Sequence, residues 1–202
     1  WVDVDADTTD REHCEPWALS EWTTAREQVF ERALELHEAF LEAHPQQVLA
    51  NLNLVSDWLG GKRLPADVAK HALDALCLIV PVVSTTFAST PRMFADLPRE
   101  SIGWLLVDEG GQALASHAAG AVWRAKRTVI IGDPLQLEPV LGLSPAIVSV
   151  LCKQFDVKCR LSTCAVSAQH IADTATRIGT YVPSQDGGTD WVGLPLRLHR
   201  RC

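Results

Sequence analysis

The chain has 202 residues, 47% of them apolar and 21% charged, a globular balance that excludes a disordered or collagen-like polymer. Its formal charge of −7 argues against a broad basic face that grips nucleic acid and leaves only a local contact in a cleft. The longest apolar run, Ala75 to Val83, has nine residues and contains Pro81, which is too short for the roughly 18 residues of a membrane span.

The opening Trp1-Val2-Asp3-Val4-Asp5 is acidic where a secretory leader would be basic, so residues 1–13 read as a polar lead-in. From Pro16 to about Ala43 the pattern is helical. Val29, Phe30, Ala33, Leu34, His37, Phe40 and Leu41 recur at three- and four-residue steps, with glutamates between them. A second helix is expected from Gln46 to Leu59, stopped by Gly60-Gly61, and a third from near Pro65 to about Leu76. Residues 1–76 therefore read as a lead-in plus a helical hairpin or small bundle, with Trp17, Trp22 and Trp58 packing it.

Beyond residue 76 the texture changes. Leu78–Val83, Ile102–Val107 and Thr128–Ile131 are short runs apolar on both faces, as buried parallel strands require, with Trp104 in the core. Gln112 to Arg127 is long enough for a crossover helix between the last two. Arg124, Lys126 and Arg127 read as its solvated basic end. Residues 145–155 and 164–178 look helical, Pro183 to Asp190 reads as a loop, and Trp191 to Leu198 as a further strand. Residues 77–202 thus form an α/β segment. Its polar residues gather at the carboxyl ends of strands, where open α/β sheets bind ligands.

Asp108-Glu109 follows a buried run, where two adjacent acids are costly without work or partners. In nucleotide hydrolysis one acid holds Mg²⁺, usually through water, and another orients and deprotonates the attacking water. The next run ends in Gly132-Asp133-Pro134-Leu135-Gln136. Gly132 permits a tight turn beside a phosphate, Asp133 lies near the metal, and Gln136 can bond a phosphate oxygen or the lytic water.

Val107-Asp108-Glu109-Gly110-Gly111-Gln112-Ala113 resembles the Walker B element (motif II, D-E-A-x-Q) of superfamily 1 helicases. Gly132 to Val140 resembles their motif III, Val83 to Ser89 their S-T-T-F-A-S motif Ic, and Pro195 to Cys202 their motif IV. The order is the family's, and the most similar branch is the DNA2/NAM7 (Upf1-like) group of superfamily 1B. The resemblance covers roughly residues 78–202. It implies a RecA-like P-loop NTPase parallel sheet, partial because the phosphate-loop strand is absent, with an N-terminal helical segment. It also implies an ATP-dependent helicase or translocase using ATP and Mg²⁺ on single-stranded DNA or RNA.

Residue by residue, the resemblance implies that Asp108 coordinates Mg²⁺ through water and Glu109 is the catalytic base. Gln112 and Gln136 would sense the γ-phosphate. Arg201 would contact the γ-phosphate, and Arg200 stands where a tyrosine normally stacks on the adenine. Ser84, Thr85 and Thr86 would touch the sugar-phosphate backbone without reading sequence.

The chain departs from the pattern at Gly110, which replaces an alanine and reads as loosening the turn, and at His199, which replaces a glutamine. No G-x-x-x-x-G-K-[ST] is present. Gly60-Gly61-Lys62-Arg63 lacks the first glycine and the hydroxyl residue and follows a helix rather than a strand. The chain begins without Met and stops within motif IV, so the expectation is the back portion of a first motor domain. Such a piece would be inactive alone and prone to self-association through exposed sheet edges. A second reading, motivated by Gly110, His199 and Arg200, is a degenerate binding or scaffold module without ATP turnover.

The six cysteines form no C-x-x-C pair and match no zinc spacing, and Cys159, Cys164 and His170 make only a weak cluster. Idle thiols fit a reducing compartment, so the expected location is the cytoplasm, with the nucleoid or nucleus as intracellular variants and no membrane partner.

Overall fold

A computed structural model describes residues 19–133, 139–140, 142–156, 166–183 and 187–194. Gln136, Arg200, Arg201, His199, Trp17, Cys159 and Cys164 lie outside the described residues. The chain forms two compact units, Trp1–Leu54 and Val55–Cys202.

In the first unit, α1 spans Ser20–Ala43 and has no buried residue. Phe30 is 63% and Leu36 73% exposed, and Arg32 pairs with Glu35 at 2.7 Å on a solvated face. Trp22, expected to pack this segment, is also exposed. The helix stops at His44 because Pro45 disfavours helical geometry in the residue before it. The same proline opens α2, Pro45–Leu59, since a first-turn N–H has no partner to lose.

The second unit begins with the last turns of α2, which bury Val55 and Trp58. Gly61, at φ 101°, closes the helix: its N–H donates to the Trp58 carbonyl at 2.9 Å, and that of Lys62 to Asp57 at 3.0 Å. Lys62 Nζ pairs with Asp57 Oδ2 at 2.9 Å, and Arg63 with Asp96 at 2.8 Å. This glycine pair is a helix stop, and the two cations that follow it are held by carboxylates.

Helix α3, Ala66–Ile79, buries Ala69, Ala72, Leu73 and Leu76 on one stripe. It takes Leu78 and Ile79 into its last turn, so the expected strand at Leu78–Val83 does not form. Pro81 has no N–H to give a ladder, which leaves residues 80–86 without strand pairing. A short α4, Thr90–Met93, follows.

Strand β1, Ile102–Val107, connects through α5, Ala115–Arg124, to β2, Ala125–Ile130. The strands pair in parallel from Ile102↔Ala125 to Val107↔Ile130. Ala115, Ala118 and Ala121 are the buried stripe of α5, which packs on this sheet. The helix is shorter than expected, and Lys126 and Arg127 enter the strand. The sheet is also not buried on both faces. Leu105 and Val107 share the more covered face, whereas Trp104 is 61% and Leu106 68% exposed on the other. Among the described residues this sheet has only β1 and β2, and on that second face Arg127 lies 5.2 Å from the Trp104 ring.

Helix α6, Pro145–Gln154, buries Val148 and Cys152. Helix α7, Ala168–Ala175, is capped by Ser167, whose Oγ accepts from His170 N–H at 3.0 Å. Strands β3, Gly179–Pro183, and β4, Thr189–Gly193, pair antiparallel, so the expected loop is shortened at both ends; β4 begins two residues before the strand expected from Trp191, whose expected end at Leu198 lies outside the described residues. Trp191 decides the pairing. Its indole N–H donates to the Asp173 and Thr176 carbonyls at 3.1 and 3.2 Å, and its ring meets Tyr181 across the ladder. Among the described residues, no helix is long and apolar enough to cross a membrane.

Candidate functional site

Val107 ends β1 and Ile130 ends β2, and because the strands are parallel both exits lie at one end of the sheet. Asp108-Glu109 leaves one exit and Gly132-Asp133 the other. Two polar segments far apart in sequence thus become neighbours: the Asp133 carbonyl lies 3.0 Å from where a Cβ on Gly111 would stand.

The acid turn is tightly specified. Ile131 N–H donates to the Val107 carbonyl and Gly110 N–H to the Ile131 carbonyl, both at 2.8 Å, so the β ladder continues past the strands. Glu109 takes φ 54°, a left-handed conformation costing a side-chain-bearing residue on the order of 1 kcal/mol. The Asp108 carboxylate accepts Glu109 N–H at 3.0 Å, and Gln112 N–H donates to the Glu109 carbonyl at 3.0 Å. Gln112 also reaches the Glu109 carboxylate with its side-chain amide at 3.3 Å.

Gly110 does not loosen this turn, contrary to the expectation from its sequence. A Cβ there would collide with Ile130 Cγ2, so glycine lets the turn close on β2. A second strand of contact comes from residues 166–169. Ala115 N–H donates to the Val166 carbonyl at 3.0 Å, Ala168 N–H to Ala113 at 2.7 Å, and Gln169 N–H to Gly110 at 3.1 Å. Sequence reading missed this strap, because nothing in the spacing of Ser167-Ala168-Gln169 pointed to the acid turn.

The functional ends remain open. Asp108, Glu109, Gln112 and Asp133 are exposed, and among the described residues no ion pair engages Asp108 or Glu109. A groove of about 900 Å³ runs between the 81–87 segment and β1, with Asp108, Glu109, Gln112, Ser84, Thr85 and Thr86 in its walls. The acids and the hydroxyl residues therefore share one opening. Thr86 carries a structural duty as well: its carbonyl accepts from Thr90 N–H at 3.1 Å and Thr90 Oγ1 at 3.0 Å, which starts α4. Cys77 also lines the groove. Partial burial, reinforced by the charge of Asp74, pushes its thiol up.

Two carboxylates with hard oxygen donors, open to water and unpaired with cations, suit a hydrated Mg²⁺, which keeps most of its waters and needs only one or two protein oxygens. Among the described residues no group of three or more His, Cys, Asp or Glu could hold a metal ion. A carboxylate and a carboxamide on one turn can also hold and deprotonate a water. The sequence holds no G-x-x-x-x-G-K-[ST] stretch to cradle a phosphate beside these groups.

No curated protein and no solved structure matches the chain. Residues 67–142, from the first turn of α3 past the Gly132-Asp133 exit, match the family model of an AAA domain, the domain found in superfamily 1 helicase-like proteins.

Proposed function

We propose that the chain carries the acid side of an ATP-hydrolysing centre in a nucleic-acid helicase or translocase of the superfamily 1B DNA2/NAM7 group. It would form the back portion of a partial RecA-like domain, with residues 1–76 as its helical segment. The carrying observation is that Asp108-Glu109 and Gly132-Asp133 leave adjacent parallel strands at one end, and that Asp108 and Glu109 line the same groove as Ser84, Thr85 and Thr86. The family match over residues 67–142 supports an ATPase or helicase-like activity.

Asp108 would hold the Mg²⁺ of Mg·ATP through water, and the metal would neutralise phosphate charge. Glu109 would take the proton of the attacking water, with Gln112 fixing its carboxylate. Asp133 would stand beside the metal and Gly132 would let the chain pass a phosphate. Gln136 and Arg201 would meet the γ-phosphate, and Arg200 would stack on the base. The hydroxyls of Ser84, Thr85 and Thr86 would hold a single strand of DNA or RNA by its backbone.

ATP turnover by the full protein, with single strands added, tests this. Glu109→Gln is expected to cut turnover by about 10²–10⁴-fold while Mg·ATP still binds. Turnover untouched by Glu109→Gln would remove the proposed base. A wild-type protein that binds single strands and never hydrolyses ATP would favour the degenerate binding module.

A further inference from the structure

Three glycines of the site share one neighbour. A Cβ on Gly132 would strike Gln169 Oε1, one on Gly111 would stand 3.3 Å from the same oxygen, and one on Gly110 would stand 3.6 Å from Gln169 Cβ. Gln169 comes from the start of α7, and no motif includes it. Its side chain is 7% exposed, and Oε1 is sealed from solvent with no hydrogen-bond partner among the described residues. A buried carbonyl without a donor costs on the order of 1–3 kcal/mol. Its place is therefore not explained by local hydrogen bonding. What it does occupy is the gap between the two strand exits.

We propose that Gln169 is the positioning residue of the acid turn. Its side chain is a spacer that sets the separation of Gly110-Gly111 from Gly132, and so of Asp108 and Glu109 from Asp133. Its N–H bond to Gly110 fixes the direction from which the spacer enters. The glycines are the complement of the spacer, since any side chain at 132 would claim the same volume. Sealed from solvent against these glycines, Gln169 acts through the acids. The consequence for Mg²⁺ use rests on the ATP-hydrolysis reading above.

The test compares Gln169→Ala, which empties the gap, with Gln169→Met, which refills it without the amide, in the full protein. Gln169→Ala is expected to speed amide exchange selectively at residues 110–112, and to raise the Mg²⁺ concentration for half-maximal ATP turnover by about tenfold or more. Gln169→Met should stay near wild type in both. A Gln169→Met variant as loose as Gln169→Ala would overturn the spacer role, as would faster exchange spread evenly over the chain. Local loosening with an unchanged Mg²⁺ requirement would reduce Gln169 to filler and also overturn it. If the wild-type protein shows no ATP turnover, the functional reading falls, and the exchange pattern alone decides whether Gln169 holds the turn.

Discussion

The two walls of the groove are built on different principles. The acid turn, residues 108–113, is held from β2 and from the 166–169 strap by backbone hydrogen bonds, and glycine allows the close approach of both. The opposite wall, residues 80–86, makes no strand pairing, and its fixed points are the ends of α3 and α4. Chemistry that places a proton and a metal needs side chains fixed to a fraction of an ångström. A wall that would receive a flexible strand through hydroxyl groups does not. The difference shows which half of the site is pre-formed.

The comparison breaks most readily on its rigid side. Gly110→Val should destabilise the second unit by about 3 kcal/mol in denaturant unfolding, because the new side chain overlaps Ile130. Shortening the neighbour, as Gly110→Ala with Ile130→Ala, should cost less than the two single changes sum to, the mark of a direct contact. If Gly110→Val were neutral, the tight closure of the turn on β2 would be wrong.

The open side is anchored downstream, at Asp96. Its side chain is 7% exposed and takes both Arg63 and the Leu64 N–H, the latter at 3.3 Å. Asp96→Ala should cost about 2 kcal/mol, since it strips a part-buried N–H and the turn before α3 of their acceptor. Between these anchors the wall should tolerate change. Ser84→Ala and Thr85→Ala should alter unfolding free energy by less than about 0.5 kcal/mol while weakening single-strand binding by the full protein. A large stability loss would mean that these hydroxyls build the fold.

The smallest effect belongs to Asp173, where α7 meets β4. Burial raises its carboxyl above the usual aspartate range, while the Gly193 N–H it accepts at 3.0 Å and the nearby His170 pull the other way. An acid harder to ionise folded than unfolded gives stability that is complete below the unfolded value and lost as pH rises through the folded one. Asp173→Asn keeps an acceptor for Gly193 and should remove that acid-range slope from a titration of unfolding free energy. A slope unchanged in the variant would place its source elsewhere.

Much of the local structure was legible in the residues. The stripe Ala69, Ala72, Leu73, Leu76, the stop at Gly60-Gly61 and the apolar runs at Ile102–Val107 and Thr128–Ile131 all gave elements of the expected type. Proline marked the failure as clearly as the successes: Leu78–Val83 has strand composition, yet the periodicity of α3 extends into it and Pro81 interrupts a ladder. The acid pair and Gly132-Asp133 were legible as chemistry, since charge after an apolar run is costly and therefore conspicuous. Arg200 and Arg201 rest on the resemblance alone, and with Gln136 they lie outside the described residues.

Periodicity and unpaired charge are properties of neighbouring residues, so the sequence alone determined the helices, the two parallel strands and the candidate acids. Tertiary structure decided what depends on partners distant in the chain: the exposure of Trp104, the need for glycine at 110 against Ile130, and the wedge of Gln169 between two strand exits. The reason is steric. A residue's own pattern states which face it prefers to bury, and only the assembled backbone states which atoms already occupy the space.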